Sequence, residues 1–273
     1  MTSPIGVFDS GLGGLSVAAR ILQILPNERI VYFADTAHVP YGERSFDEIQ
    51  QFSLNIVRFL VGKGVKAVVA ACNLSSAVAL TKVRDTWPDL PILGVIEPGA
   101  RAAVQASNGN PIGVLATTGA IKSQAYDKAI ARLDDSIKVT GQACPKFVPL
   151  VESGLAESDQ AKEAAREYVP RLLEAGCKTI VLGCTHYPFL MKSIRSAAGE
   201  DIAIIDPAQE TAAELGNILT RHKIASDELK SAHEFYSSGD SSGFKALGSE
   251  FLGRDIDKVT RVDIEDLPRG TNI

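Results

Sequence analysis

Two cysteines stand where this sequence can do chemistry. Cys72 closes the run AVVAAC and Cys184 closes TIVLGC; polar residues and then a helical pattern follow each. Short apolar runs of small and β-branched residues bounded this way read as buried strands of a parallel sheet. Each thiol therefore falls where a strand's carboxyl end meets a helix's amino end. Open α/β sheets bind ligands there, and the unpaired helix N–H groups favour an anion, a thiolate included. A single cysteine at such a place reads as a small buried hydrophobe. Two at matching places suggest a pair of acid/base groups. Inverting a carbon centre needs such a pair: a base withdraws a proton from one face while an acid delivers one to the other. A thiol serves in both roles, since its ordinary pKa of about 8.5 needs only modest lowering to give useful thiolate near neutrality. Asp9 is the candidate proton-handling group beside Cys72. His186, two residues after Cys184, is the candidate on the other side.

Other readings stand beside this one. Asp9 suits a helix cap as well as a catalytic carboxylate. A Cys–His hydrolase would use Cys184 and His186 but leave Cys72 unexplained. No third ligand has the spacing a metal site needs. Cys144 and Cys177 end no strand before a polar turn, so burial accounts for them. His38, His222 and His233 stand in polar contexts and are expected to be solvated.

The elements that must position these groups follow from the chain in order. IGVFD at 5 to 9 reads as the first strand, followed by Ser10-Gly11-Leu12-Gly13-Gly14 and a helix through Leu25. This turn is no dinucleotide fingerprint, because Ser16 holds the third glycine position, and no P-loop lysine follows. Further strands are expected at 29–35, 67–72 and 91–96, with helices at 46–62 and 75–87. Glu97-Pro98-Gly99 reads as a joint. After it the pattern restarts: PIGVLATTGAIKS parallels PIGVFDSGLGG, and TIVLGCTHYP parallels AVVAACNLSS. Gly113 follows Gly6 by 107 residues and Cys184 follows Cys72 by 112. Near-equal offsets in the same order point to an internal duplication. The second repeat carries a helix near 119–134, strands near 138–144 and 202–206, and a long helix near 158–176. A helix at 208–222 and a strand at 234–240 lie beyond it and are expected to return to the first lobe. The expected fold class is α/β, with two pseudo-symmetric three-layer lobes of mainly parallel sheet and the active site in the cleft between them. Residues 1–97 with 208–273 form one lobe and 98–207 the other.

Bulk composition narrows the partners. The 273 residues are 45% hydrophobic, enough for real cores, and the net charge of -5 gives no footprint for nucleic acid. No apolar run approaches the roughly 18 residues of a membrane span. MTSPIGVFDS has no basic region followed by an apolar stretch, so no signal peptide is expected. Four cysteines without CxxC or zinc spacing fit a reduced, cytoplasmic protein with free thiols.

The chain resembles bacterial glutamate racemases, within the cofactor-independent aspartate/glutamate racemase superfamily. The matching segments are IGVFDSGLGGLSV at 5–17, Asp35 with Pro40-Tyr41-Gly42, Ala71-Cys72-Asn73 and Gly183-Cys184-Thr185-His186-Tyr187-Pro188. VPLVESG at 148–154, Asp206-Pro207-Ala208 and FYSSGD at 235–240 extend the match over nearly the whole chain. The resemblance implies interconversion of L- and D-glutamate with no pyridoxal phosphate, metal or nucleotide, supplying D-glutamate for peptidoglycan. It implies Cys72 and Cys184 as the two bases, Asp9 and His186 as their partners, and Glu152 as a more distant auxiliary. Ser10, Tyr41, Gly42, Asn73, Thr185 and His186 would hold the substrate. A cytoplasmic homodimer is the usual state in such families. One departure stands out: Leu74 occupies a position usually held by threonine, keeping the backbone amide and losing the hydroxyl. A second threonine is replaced by Ala120, while Thr117 and Thr118 remain. A lost hydrogen bond to a charged group costs about 1.5 to 3 kcal/mol. The implied alternatives are a racemase acting on another small acid, such as aspartate, or a binding protein of low activity.

Overall fold

The computed structural model describes residues 3–228 and 232–263. The chain divides into two compact units, one built from residues up to Val95 and from Thr211 onward, the other from Ile96–Glu210. The lobe expected from 1–97 with 208–273 also includes positions outside the described residues.

In the first unit the strands are β1 (Ile5–Asp9), β2 (Ile30–Ala34), β3 (Ala67–Ala70) and β4 (Ile92–Gly94). The second unit holds β5 (Ile112–Ala116), β6 (Val139–Ala143), β7 (Thr179–Gly183) and β8 (Ala203–Ile205). β9 (Glu234–Ser237) and β10 (Val259–Arg261) complete the first sheet. Strand order is β10-β9-β2-β1-β3-β4 in one sheet and β6-β5-β7-β8 in the other. Every pairing among the described residues is parallel. The order β2-β1-β3-β4 thus recurs as β6-β5-β7-β8, which is the duplication seen at the level of topology. β1, β2, β3, β5 and β7 are buried along their whole lengths, as strands covered by helices on both faces must be.

The repeated glycines do the same work in both units. A methyl at Gly6 would lie 3.1 Å from Leu60 Cδ1, and one at Gly113 would lie 2.7 Å from Leu172 Cδ1. Leu60 belongs to the helix Phe46–Gly62 and Leu172 to Asp159–Glu174, each leading into the strand that precedes a candidate cysteine. Glycine lets these helices lie close on the central strand. Local signals start both helices. Ser45 and Glu48 form a reciprocal capping box, and the Ser158 side chain accepts from Ala161 N–H.

Several boundaries differ from expectation. The strand expected at 91–96 is only Ile92–Gly94, and the joint Glu97-Pro98-Gly99 lies inside a helix, Ile96–Ser107. Proline costs a first helical turn nothing, because the N–H it lacks has no intrahelical acceptor there. The helix expected at 75–87 breaks at Ala79 into Asn73–Val78 and Leu80–Thr86. The one at 119–134 breaks at Gln124, whose φ is 53°. Ser241–Leu252 and β10 were not anticipated. His38 and His233 are half-buried rather than fully solvated. His38 stacks on Phe52 with ring centroids 3.8 Å apart, and burial beside Arg254 and Arg29 pushes His233 down to about 4.

A buried ion pair ties the segment after the helix Pro207–Arg221 to the base of the first sheet. Lys66 Nζ lies 2.7 Å from Glu28 Oε2 and also donates to Ile224 O and Ser226 Oγ; Ser226 N–H donates to Glu28 Oε1. Both side chains are at least nine-tenths buried. Lys66→Met strands the Glu28 carboxylate and should cost about 3 to 5 kcal/mol in urea unfolding. Adding Glu28→Leu should restore most of it; a double variant as weak as the single would refute this account of the pair.

Candidate active site

Asp9 is the last residue of β1 and is fully buried. Its Oδ2 accepts from Gly11 N–H at 2.9 Å, closing an Asx-type turn. It does not cap the helix Leu15–Ile24, whose N-cap is Gly14 and which has no side-chain cap. A methyl at Gly14 would lie 2.4 Å from Asp9 Cβ and 2.7 Å from the Tyr32 hydroxyl, so glycine there makes room for the carboxylate. Tyr32 donates to Gly11 O and fixes the same turn from β2.

Cys72 follows β3 by two residues and is itself the N-cap of Asn73–Val78. Its sulfur accepts from Ser75 N–H at 3.5 Å, and its carbonyl accepts from Ser76 N–H. The helix-end contact is present, yet it does not decide the thiol's charge. Burial and, second, the Asp9 carboxylate push Cys72 up to about 11, outweighing the downward pull of the Ser75 amide and the Ser10 hydroxyl. The amide at this helix end does not offset full desolvation beside a negative charge. At rest, Cys72 is a thiol.

Around it the first unit brings together several other predicted residues. Tyr41, Ile49, Cys72 and Leu74 form one buried apolar cluster, with Phe52 and Val78 packed on it. Leu74 therefore spends its side chain on the wall of the Cys72 site. Asn73 is buried and Ser10 half-buried; Gly42 is exposed in the 3-10 turn Tyr41–Glu43.

The second unit builds its cysteine differently. Cys184 follows β7 directly, is buried, and caps no helix; its carbonyl accepts from Tyr187 N–H as the chain turns into Tyr187–Leu190. Its sulfur lies 3.8 Å from His186 Nδ1, and His186 Nε2 lies 3.2 Å from Glu152 Oε1. Thiol, imidazole and carboxylate thus form a relay in which only Glu152, at the end of the helix Phe147–Glu152, reaches solvent, at 42% side-chain exposure. Thr185 is buried. Thr117 caps the helix Thr118–Ser123, its hydroxyl accepting from Ala120 N–H at 3.3 Å, while Thr118 is exposed. Cys144 and Cys177 are buried thiols whose pKa values burial drives up. An open cavity lined by Lys146, Pro149, Leu150, Ser153 and Glu163 borders the helix that carries Glu152 and contains none of the predicted residues.

Asp35 lies in a matching segment, but the sequence alone assigns it no role. It is 1% exposed, and its carboxylate meets Tyr41, His38 and Ser238. The signal was present: like Asp9, it is an acidic residue at the end of a fully apolar strand. Among the described residues, no group of three or more His, Cys, Asp or Glu is arranged to hold a metal ion. No described helix is long and apolar enough to cross a membrane.

The state of Cys72 can be read directly. Its alkylation by iodoacetamide should rise about tenfold per pH unit above neutrality and level off only near pH 11, followed by mass spectrometry of its peptide. Asp9→Asn removes a charge that opposes the thiolate, so the profile should move to lower pH. A profile that stays in place would show that Asp9 does not govern the thiol.

Comparison with known proteins places the chain among racemases. A model of the Asp/Glu/hydantoin racemase family matches residues 5–215. The glutamate racemase of Geobacter metallireducens is 42% identical over 262 residues, covering 96% of this chain and 97% of its own. Among solved structures, the glutamate racemase isoform RacE1 of Bacillus anthracis superposes with a TM-score of 0.92 at 40% identity, over 96% of this chain and 98% of that one. The glutamate racemase of Francisella tularensis, solved in complex with D-glutamate, gives 0.90 at 34% identity with the same coverage. Over most of its length, then, the chain belongs to the Asp/Glu/hydantoin racemase family.

Proposed function

We propose that this enzyme interconverts L- and D-glutamate by proton transfer between two thiols and the α-carbon. One observation carries the reading: β3 and β7 are equivalent strands of a repeated topology, and just past each lies a buried cysteine with an ionisable side chain near it, Asp9 for Cys72 and His186 for Cys184. In one direction the Cys72 thiolate removes the α-proton from one face, and the Cys184 thiol delivers a proton to the other. The reverse direction exchanges the roles. Asp9 serves Cys72, and His186, backed by Glu152, serves Cys184. The resting Cys72 thiol also fits. The substrate's ammonium, placed beside Asp9, offsets the negative charge that holds the proton on sulfur, so substrate binding itself favours the thiolate. Ser10, Tyr41, Gly42, Asn73, Leu74 (through its amide), Thr117, Thr118, Thr185 and His186 are the candidate substrate contacts. The family resemblance supports a cytoplasmic homodimer supplying D-glutamate for peptidoglycan.

Incubation in deuterated water tests the chemistry. Each glutamate enantiomer should gain one deuterium at its α-carbon, and Cys72→Ser and Cys184→Ser should each abolish exchange mainly from one enantiomer. Wild-type protein that leaves both enantiomers unlabelled would overturn the assignment. Leu74 bears on substrate affinity. Leu74→Thr returns a hydroxyl beside the substrate and should raise kcat/KM for glutamate about tenfold, at some cost in stability because the leucine packs on Tyr41 and Cys72. An unchanged or lower value would show that the hydroxyl is not what glutamate lacks here.

A further inference from the structure

The Cys72 constellation contains one buried carboxylate that the proton-transfer scheme does not use. Asp35 follows β2 directly, and its N–H donates to the Asp9 carbonyl at 3.0 Å. Its Oδ1 accepts from Ser238 Oγ at 2.7 Å and its Oδ2 from the Tyr41 hydroxyl at 2.6 Å. His38 Nδ1 lies within 2.9 Å of both oxygens. A buried carboxylate holds its charge only when such partners replace water. Here the partners come from the loop after β2 and the residue after β9, so one carboxylate fixes two separate chain segments.

Two of those partners face the Cys72 wall. Tyr41 shares the apolar cluster with Cys72 and Leu74. The His38 ring lies parallel to Phe52, 12° off plane, and Phe52 packs against that cluster with its ring centroid 5.8 Å from that of Tyr41. Tyr41 is thus gripped at its hydroxyl by Asp35 and flanked on its ring by a phenylalanine that Asp35 also braces, through His38.

We propose that Asp35 is a positioning residue for the Cys72 thiol, holding Tyr41 and the His38–Phe52 stack so that this side of the thiol stays dry. The inference rests on reading Cys72 as one of the two proton-transfer groups. Asp35 itself meets no reacting atom; it sets the solvation of the atom that does. A looser wall admits water, which favours the thiolate in the free enzyme and leaves the thiol less well aimed at the α-carbon.

The test uses the full chain with Asp35→Ala, and with His38→Phe as the milder variant that keeps a flat ring on Phe52 but loses the nitrogen. Iodoacetamide labelling of Cys72 and Cys184 is followed separately from pH 6 to 10, alongside thermal unfolding. Asp35→Ala should raise Cys72 labelling at pH 7.5 about tenfold, a shift of roughly one pH unit, and leave Cys184 unchanged. His38→Phe should move Cys72 the same way by less, and it carries the test if Asp35→Ala fails to fold. With α-deuterated glutamate, the isotope effect on kcat should grow only for the enantiomer whose exchange is lost in Cys72→Ser. Unchanged Cys72 labelling in a folded variant, or both thiols rising together, would overturn the proposal. Wild-type protein that exchanges no α-hydrogen would instead sink the racemase reading, and the labelling would still decide whether Asp35 governs Cys72.

Discussion

A thiol surrounded by apolar side chains and set beside a carboxylate resists losing its proton, and this constraint shapes the first unit. Burial removes the water that would stabilise a thiolate, and the Asp9 charge opposes it further. A helix end contributes N–H groups, but the helix after Cys72 has only six residues and its contact with sulfur is 3.5 Å long. In the proposed two-thiol scheme, Cys72 gains its thiolate when something cationic is placed beside Asp9. An amino acid's ammonium is such a group, which makes the resting state a form of selectivity. Thiolate chemistry is favoured only when a substrate of the right charge is in place.

The duplicated topology did not preserve a duplicated environment. In the first unit the cysteine caps a helix and works beside a fully buried carboxylate. In the second it caps none and lies against an imidazole whose other nitrogen meets a half-exposed glutamate. The difference follows from what comes after each strand. Asn73-Leu74-Ser75 enters a helix at once, whereas Thr185-His186 makes a turn into the 3-10 segment Tyr187–Leu190, and His186 lies against the sulfur. Two environments suit a racemase whose substrates are mirror images: the groups around the α-carbon differ between them even though the proton transferred is the same.

Much of this was legible in the sequence, and the rest was hidden for physical reasons. Strands buried on both faces announce themselves as apolar runs, so β1, β2, β3, β5 and β7 fall where the sequence puts them. Long amphipathic helices with capping residues, such as Phe46–Gly62, were equally plain. The helix Ile96–Ser107 was concealed by a Pro-Gly pair that reads as a breaker but lies in a first turn, where it does little harm. The thiol–imidazole contact of Cys184 and His186 is encoded two residues apart. The relay's last step is not, since Glu152 comes from a distant helix. Nor does any local pattern reveal that Ser238 reaches across β9 and β2 to Asp35.

Leu74 shows how packing and chemistry compete for a single position. A threonine there would offer a hydroxyl to a ligand but leave a polar atom against Tyr41, Ile49 and Cys72. Leucine reverses the balance, filling the wall with apolar atoms and surrendering the hydrogen bond. Apolar atoms packed against the sulfur also exclude water from it, so the substitution strengthens the desolvation that keeps Cys72 protonated. The chemistry of this site cannot be tuned without also repacking the cluster that Asp35, Tyr41 and Phe52 hold in place.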